Sequence, residues 1–273
     1  MAPLYDLTRR CLGYGFPPLG SAVHNFFFKA IPTVFEAELV PGIHARLDSR
    51  DVTQRVTYWQ GNRFEYPTIQ IIAKWITPSV TCFFDIGSNY GFFSYQMLSR
   101  FKHLTVHAFE PNPKTFALLE EIKTTNKLDR FNIHCMGLSD VKNSLFLHLS
   151  TTDSGNSTFG PHPDLTLMAD TPTPVNAFDC WREEAGVRLP DTPSWVGKID
   201  AEGYDLKVLN GMRKTLEARA FAGLAVEVCE FTLAFTGAKR EDIFAFMESV
   251  GYQQIYSLEM FDKNTNAFFI PKV

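Results

Sequence analysis

This sequence lacks an excess of basic charge, closely spaced cysteine pairs and long apolar runs. Its 26 basic and 30 acidic side chains give a formal net charge of −4 over 273 residues, so it has no basic footprint for nucleic acid. The five cysteines are scattered and include no C-x-x-C pair, which argues against a zinc site and indicates thiols in a reducing compartment. No apolar run is long enough to span a bilayer. We expect a cytoplasmic protein with no transmembrane segment and no nucleic acid partner.

The G-x-G-x-x-G fingerprint of dinucleotide-binding proteins is also missing. In its place, the apolar run Val80 to Ile86 leads into a turn, Asp85 to Gly91, that reads D-x-G-x-N-x-G, and then into a predicted helix, Phe92 to Leu98. Strand, glycine turn and helix form the first unit of a nucleotide-binding α/β domain. A carboxylate here suits a ligand with a cationic amine and no phosphate, such as S-adenosylmethionine (SAM). The alternative is an ordinary turn whose glycines serve geometry alone.

A second acidic residue ends the next predicted strand, Leu104 to Phe109. Glu110 lies about 20 residues after Gly91, where nucleotide-binding folds place the acid that accepts hydrogen bonds from ribose hydroxyls. Pro111-Asn112-Pro113 then opens a predicted helix, with proline well placed near its start. A solvated carboxylate at a helix N-terminus is the alternative for Glu110, and we favour the ribose role.

A third polar cluster follows the predicted strand Phe131 to Met136. The stretch Gly137 to Asp140 reads as its exit loop. Either Ser139 or Asp140 is in position to meet an adenine amine. Asp140 fits an ordinary turn equally well.

Acidic residues also end the fourth and fifth predicted strands, Trp195 to Asp200 and Phe221 to Val228. We expect Asp200, at the centre of the sheet, to act as a general base. Glu202 is expected to assist it or to hold the turn. Asp200 and Glu227 together suggest a divalent metal such as Mg²⁺, a route we favour less because only two scattered carboxylates support it. We assign no metal ligand.

The remaining segments alternate between strand and helix patterns, which predicts a mainly parallel sheet with helices on both faces. Predicted strands are Thr33 to Leu39, Ile43 to Leu47, Leu145 to Leu149, Tyr252 to Tyr256 and Ala267 to Ile270, and predicted helices are Tyr66 to Ile76, Phe178 to Ala185, one from Tyr204 to Leu216 and one from Ile243 to Val250. We divide the chain into an N-terminal extension, residues 1–60, and a main domain, residues 61–273.

Two segments have no clear counterpart in such a domain. The apolar cluster Asn25 to Ile31 fits core packing, a homo-oligomer contact through the N-terminal segment, or a membrane surface. The polar stretch Thr151 to Pro174 is a long loop. We expect this loop and the N-terminal segment together to border a small-molecule or glycan acceptor site.

Taken together, the motifs resemble the FkbM-type SAM-dependent methyltransferases. The resemblance rests on Phe84 to Gly91, Ala108 to Pro113, Gly137 to Asp140, Lys198 to Gly203 and Glu227, and it covers roughly residues 65 to 257. The joint order and spacing are specific, whereas each piece alone is weak. Ala201 departs mildly from the branched apolar residue that is usual in the family.

The resemblance implies a class I, Rossmann-like fold: a seven-stranded, mostly parallel sheet whose final strand is antiparallel. It implies SAM bound across the strand ends and O-methylation of a hydroxyl on a sugar, lipid-linked or natural-product acceptor. The matching cofactor-binding residues are Asp85, Gly87, Ser88, Asn89, Gly91, Glu110, Pro111, Asn112, Ser139 and Asp140. Two rivals stay open: an NAD-dependent oxidoreductase and a catalytically silent SAM-binding scaffold.

Overall fold

The computed structural model describes residues 33–60, 64–150, 152–160, 172–259 and 265–272. The strands are β1 Val34–Val40, β2 Ile43–Asp48, β3 Cys82–Ile86, β4 Thr105–Phe109, β5 Phe131–His134, β6 Gly137–Ser139, β7 Asn143–Phe146, β8 Pro172–Ala177, β9 Trp195–Ile199, β10 Phe221–Val228, β11 Tyr252–Glu259 and β12 Thr265–Pro271. The helices are α1 Val52–Gln60, α2 Tyr66–Trp75, α3 Phe92–Arg100, α4 Pro113–Thr125, α5 Phe178–Glu184, α6 Asp205–Gly211, α7 Arg213–Glu217, α8 Glu230–Leu233 and α9 Arg240–Ser249. Short 3₁₀ turns lie at Ser154–Asn156 and Ala234–Thr236.

Seven strands form the main sheet in the order β11-β12-β10-β9-β3-β4-β5. The pairs β10/β9, β9/β3, β3/β4 and β4/β5 are parallel, whereas β12 runs antiparallel to both of its neighbours. The predicted sheet and its antiparallel final strand are therefore confirmed. Because β3 and β9 lie side by side at the centre, the residues that follow them meet at one edge.

Helices cover both faces of this sheet, as predicted. Successive strand residues point to opposite faces, so Phe83 lies in one core and Phe84 in the other. The first core joins the sheet to α2, α3, α4 and the hairpin of β1 and β2. The second core joins it to α5, α6, α7 and α9. Each face is therefore sealed by apolar packing, which leaves the strand ends as the place for a site.

The hairpin and helix of residues 34–60 share the first core with the main sheet. Leu47 and Ile43 are buried in it, and Asn126, just after α4, exchanges hydrogen bonds with the His44 backbone, at 2.8 Å to the amide and 2.7 Å to the carbonyl. The apolar cluster Asn25 to Ile31 lies outside the described residues. In the described part of the chain, every helix is too short or too polar to cross a membrane.

Several predictions about local structure are wrong in their bounds, among them the strand predicted from Leu145 to Leu149, which lies at Asn143–Phe146. The third strand ends at His134, and the predicted exit loop starts with a strand, β6, of a separate sheet ordered β6-β8-β7. The predicted loop to Pro174 ends earlier, because residues 172–174 pair with residues 144–146 of β7. Two prolines favour a loop locally, and pairing with a neighbouring strand outweighs that preference. The predicted helix after Tyr204 is two helices, α6 and α7.

Candidate functional site

The glycine turn between β3 and α3 is locked against the end of β9. Gly87 has φ +74°, and a Cβ there would overlap the Asp200 carbonyl oxygen. Gly91 has φ +88°, which favours glycine, and Asn89 is left-handed at φ +48°. Any larger residue at position 87 would have to push the two main chains apart.

Asp85 lies beneath this turn and holds the start of α3. Its Oδ2 accepts hydrogen bonds from the Ser94 backbone N–H at 2.9 Å and from the Ser94 hydroxyl at 2.6 Å. Burial raises the pKa of the Asp85 carboxyl to about 6, although the bonds from Ser94 oppose that shift. Neither Asp85 nor its neighbours Ser88 and Gly91 are among the described residues that line the cavity above the turn.

Glu110, after β4, is buried beside the turn. Its Oε1 accepts a 2.7 Å hydrogen bond from the Asn112 backbone N–H, and Asn112 in turn caps α4 by accepting from the Lys114 backbone N–H at 3.0 Å. Burial raises the pKa of the Glu110 carboxyl to about 7, against the backbone hydrogen bonds from Asn112 and Asn89. The residue therefore titrates near neutral pH.

A cavity opens at these strand ends. Of the residues that the sequence singled out, the lining includes Gly87, Asn89, Glu110, Pro111, Asp200 and Glu202. The segment after β5 contributes Met136, Gly137 and Leu138. The residues that follow β3, β4 and β9 therefore meet at this cavity.

Ser139 and Asp140 stand back from this cavity. Ser139 is buried in β6 and its hydroxyl donates to Asp140 Oδ1 at 3.1 Å, while Asp140 is exposed. Neither residue is part of the cavity lining in the described chain. The adenine-contact role therefore stays a prediction for this pair.

Lys198 is a buried cation that pairs with Asp200. Its Nζ donates to Asp200 Oδ2 at 2.9 Å and to the Ile199 carbonyl at 3.0 Å, and only 1% of its side chain is exposed. Burial alone would lower the pKa of Lys198, but the carboxylates of Asp200, Glu227 and Glu65 outweigh it and raise the pKa. Lys198 therefore lies among several carboxylates, of which Glu65 gave no signal in the sequence.

Three carboxylates converge at the ends of β9 and β10. One oxygen each of Asp200, Glu202 and Glu227 lies within 4.8 Å of the others. Burial, together with the charge of Asp200, raises the pKa values of Glu202 and Glu227 far above their usual range. Asp200 is the member that accepts a hydrogen bond from Lys198, and the charge of Lys198 opposes the rise in the pKa of Glu227.

Asp205 fixes the turn that carries Glu202. Its Oδ1 accepts from the Ala201 backbone N–H at 2.9 Å and its Oδ2 from the Gly203 backbone N–H at 3.1 Å. The sequence gave no sign of this role, because an acid in the first helical turn is common for other reasons. Asp205 therefore holds this turn, which was one alternative role for Glu202. Glu202 itself lines the cavity.

A strap, defined here as residues 152–159, crosses the same edge of the sheet. It contains the 3₁₀ turn Ser154–Asn156 and adds Ser157, Thr158 and Phe159 to the cavity lining. Phe159 packs against Tyr204 with ring centroids 5.5 Å apart. The strap is the described part of the loop that the sequence associated with the acceptor.

Comparison with known proteins agrees with this architecture. Residues 85–253 match the family model described as the methyltransferase FkbM domain. "Methyltransferase 1" of Beauveria bassiana (strain ARSEF 2860) is 25% identical over 181 residues, which cover 62% of this chain and 70% of that protein.

Two solved structures with a similar chain trace illustrate the fold. The SAM-dependent methyltransferase of Agrobacterium tumefaciens has a TM-score of 0.47 at 8% identity, covering 89% of this chain and 71% of that one. M. jannaschii TYW2, solved in complex with AdoMet, has a TM-score of 0.42 at 17% identity, covering 88% of each chain.

The sheet order, the antiparallel final strand and the glycine turn define a class I, Rossmann-like methyltransferase. The family match spans more than half of the sequence. The chain belongs to the FkbM methyltransferase family and is a SAM-dependent methyltransferase.

Proposed function

We propose that the protein transfers a methyl group from SAM to a hydroxyl of a sugar, lipid-linked or natural-product acceptor, in the cytoplasm. The observation that carries the proposal is the packing of Gly87 on the Asp200 carbonyl. That packing sets the cofactor turn directly beside a carboxylate that lines the cavity. A methyl donor on the turn and a base for the acceptor would then be neighbours.

The cavity residues fit SAM in their chemistry. Asn89 Oδ1 is buried without a hydrogen-bond partner among the described residues, and a cationic ammonium would satisfy it. We assign the amino-acid part to the stretch Gly87 to Gly91 and the ribose to Glu110. The adenine amine is assigned to Ser139 or Asp140, which follow the lining residues Gly137 and Leu138.

SAM supplies a methyl already activated by its sulfonium, so the protein's main task is to align the acceptor. Asp200 would accept the hydroxyl proton as the methyl is transferred. Lys198, at 2.9 Å, fixes the carboxylate's rotamer through Oδ2. Glu202, which lines the same cavity, would assist by helping to orient the acceptor hydroxyl.

A divalent metal is the second route. Asp200, Glu202 and Glu227 offer carboxylate oxygens within 4.8 Å of one another, the ligand type that Mg²⁺ prefers. Such an ion would lower the pKa of an acceptor hydroxyl. We favour the base, because the buried ammonium of Lys198 already balances this acidic cluster.

The decisive variant is Asp200→Asn, which keeps the side chain's size and removes its basic oxygen. We expect near-parental SAM affinity and a loss of about 10²–10⁴-fold in transfer rate. Asp191→Asn, exposed in the turn before β9, is the matched control and should keep full activity. Near-parental turnover by Asp200→Asn would remove Asp200 from the mechanism.

A chelator arm separates the two routes. If the parent loses activity with chelator and regains it with Mg²⁺, the metal route replaces the base.

The acceptor is sought by incubating metabolite extracts with isotope-labelled SAM and following the label by mass spectrometry. Titration calorimetry with SAM and with NAD tests the oxidoreductase rival, and SAM binding without label transfer to any extract would favour the silent scaffold.

A further inference from the structure

The strap is tied at its start to the segment that leads into α1. The Val52 backbone N–H donates to the Thr152 carbonyl at 2.9 Å, and the Ser154 backbone N–H donates to Asp51 Oδ2 at 2.9 Å. The Thr53 hydroxyl donates to Asp153 Oδ1. Residues about 100 positions apart in sequence therefore hold one end of the strap over the cavity.

The other end of the strap is tied to the turn that carries Glu202. The Thr158 hydroxyl donates to the Glu202 carbonyl at 2.7 Å and accepts from the Gly160 backbone N–H at 3.0 Å. Thr158 also exchanges two backbone hydrogen bonds with His148, at 2.8 and 3.0 Å. The strap is thus fixed at both ends, and its middle residues have a defined position.

One of those middle residues has an unmet hydrogen-bonding group. Ser157 lines the cavity, and its hydroxyl oxygen is buried with no partner within the described ranges. Asn89 Oδ1 on the glycine turn and the Ser154 hydroxyl oxygen on the strap share this condition. A buried polar group without a hydrogen-bond partner is unfavourable, so three of them in one cavity lining point to a polar ligand.

The position of the strap indicates which part of the ligand Ser157 meets. Gly155, two residues earlier, lies between Thr53 and the glycine turn, since a Cβ on Gly155 would lie 2.6 Å from Thr53 Oγ1 and 3.6 Å from Asn89 Nδ2. The strap therefore approaches the glycine turn, where the amino-acid part of SAM is assigned above, and Ser157 lies between this approach and Thr158. A serine hydroxyl suits that group, because it can donate to a carboxylate or accept from an ammonium.

We propose that Ser157 hydrogen-bonds the amino-acid group of SAM opposite Asn89, and that Thr53 positions the strap for this contact. The proposal rests on the proposed SAM site and adds a residue that neither the glycine turn nor Glu110 provides. It also gives the segment before α1 a task in cofactor binding.

Three ligands test the contact by calorimetry: SAM, S-adenosylhomocysteine, and 5′-methylthioadenosine, which lacks the amino-acid group. Ser157→Ala should weaken the first two about tenfold, equivalent to about 1.4 kcal/mol, and leave methylthioadenosine binding unchanged. Ser144→Ala, on the exposed strand β7, is the control and should bind all three as the parent does.

The positioning role has its own pair of variants. Thr53→Val removes the hydroxyl that donates to Asp153 and should reproduce the selective loss of SAM and S-adenosylhomocysteine affinity. Thr53→Ser keeps the hydroxyl and should restore both affinities. Thermal melting of each variant checks that the fold is intact.

The possible failures point to different errors. Parental affinity of Ser157→Ala for all three ligands would overturn the contact and leave the proposed function standing. An equal loss for all three would mean that Ser157 only shapes the cavity, which also overturns it. A parent protein that binds none of the three would overturn the SAM site and this inference together.

Discussion

Glu110 combines a titration near neutral pH with a place in the cavity lining. In the SAM site proposed above, its ionised form would accept hydrogen bonds from two ribose hydroxyls at once, whereas the protonated form would first have to lose its proton. We therefore expect SAM affinity to rise as the pH goes from 6 to 8 and to level off above the pKa of about 7. Calorimetry across this range provides the measurement.

Glu110→Gln is the matched control, because glutamine keeps the shape and does not titrate. It should bind SAM more weakly than the parent at pH 8, by about 1–3 kcal/mol for the lost charge-assisted bonds, and its affinity should not change between pH 6 and 8. An equal pH slope in parent and variant would assign the titration to another group.

At the scale of single residues, the sequence identified the candidate site residues that directly follow a predicted strand. Gly87, Glu110 and Asp200 follow strands whose carboxyl ends must share one edge, so their convergence was predictable. Lys198 and Glu65 meet only in the folded chain, and no local pattern relates position 65 to position 198. Ser157 belongs to a run of polar residues, and no sequence pattern distinguishes it from the other members of that run.

At the scale of elements, Asp179 on α5 holds the start of α7. Its carboxylate accepts from the backbone N–H groups of Lys214 at 2.8 Å and Thr215 at 3.0 Å, and from the Thr215 hydroxyl. Asp179→Ala would leave these buried donors without an acceptor. We expect it to lower the free energy of unfolding by about 3 kcal/mol, measured by urea denaturation.

The control for this substitution is a charge on the same short helix. Glu217 forms only an exposed pair with Arg213, at 3.6 Å, so Glu217→Ala should change stability by no more than about 1 kcal/mol. Equal midpoints for the two variants would show that the carboxylate of Asp179 does not hold α7.

Element type followed from periodicity, while some element ends depended on partners elsewhere. Phe221–Val228 has the predicted bounds, and apart from Glu227 it contains no polar side chain. The small sheet of β6, β8 and β7 was missed because its strands are short and β8 carries Pro172 and Pro174. Its stability comes from pairing across the molecule, which no window of the sequence contains.

At the scale of the whole molecule, a buried pair of histidines couples folding to pH. His107 Nδ1 lies 3.2 Å from His134 Nε2, and the rings stack beneath Trp181. Burial lowers the pKa of each ring to about 4. The unfolded chain therefore binds more protons between about pH 6.5 and 4, so the pair's contribution to stability is full above 6.5 and is lost as the pH falls through 4.

Buried carboxyls with raised pKa values, such as Asp85 and Asp205, change stability in the opposite sense, so the histidine effect is read as a difference. His107→Phe/His134→Phe keeps aromatic rings and removes the titration. Relative to the parent, this variant should gain at least about 2 kcal/mol in free energy of unfolding from pH 7 to pH 4, as each pKa unit is worth about 1.4 kcal/mol. A pH-independent difference would contradict the assignment.

The contact between Gly87 and the Asp200 carbonyl also limits how this protein can change in evolution. Strands β3 and β9 are adjacent and in register, with Asp85 opposite Lys198. Adding one residue within either strand would shift the strand end by about 3.3 Å and turn every later side chain to the other face. Insertions and deletions should therefore be confined to the opposite edge, in turns such as residues 101–104 and 186–194, and to loops around the acceptor.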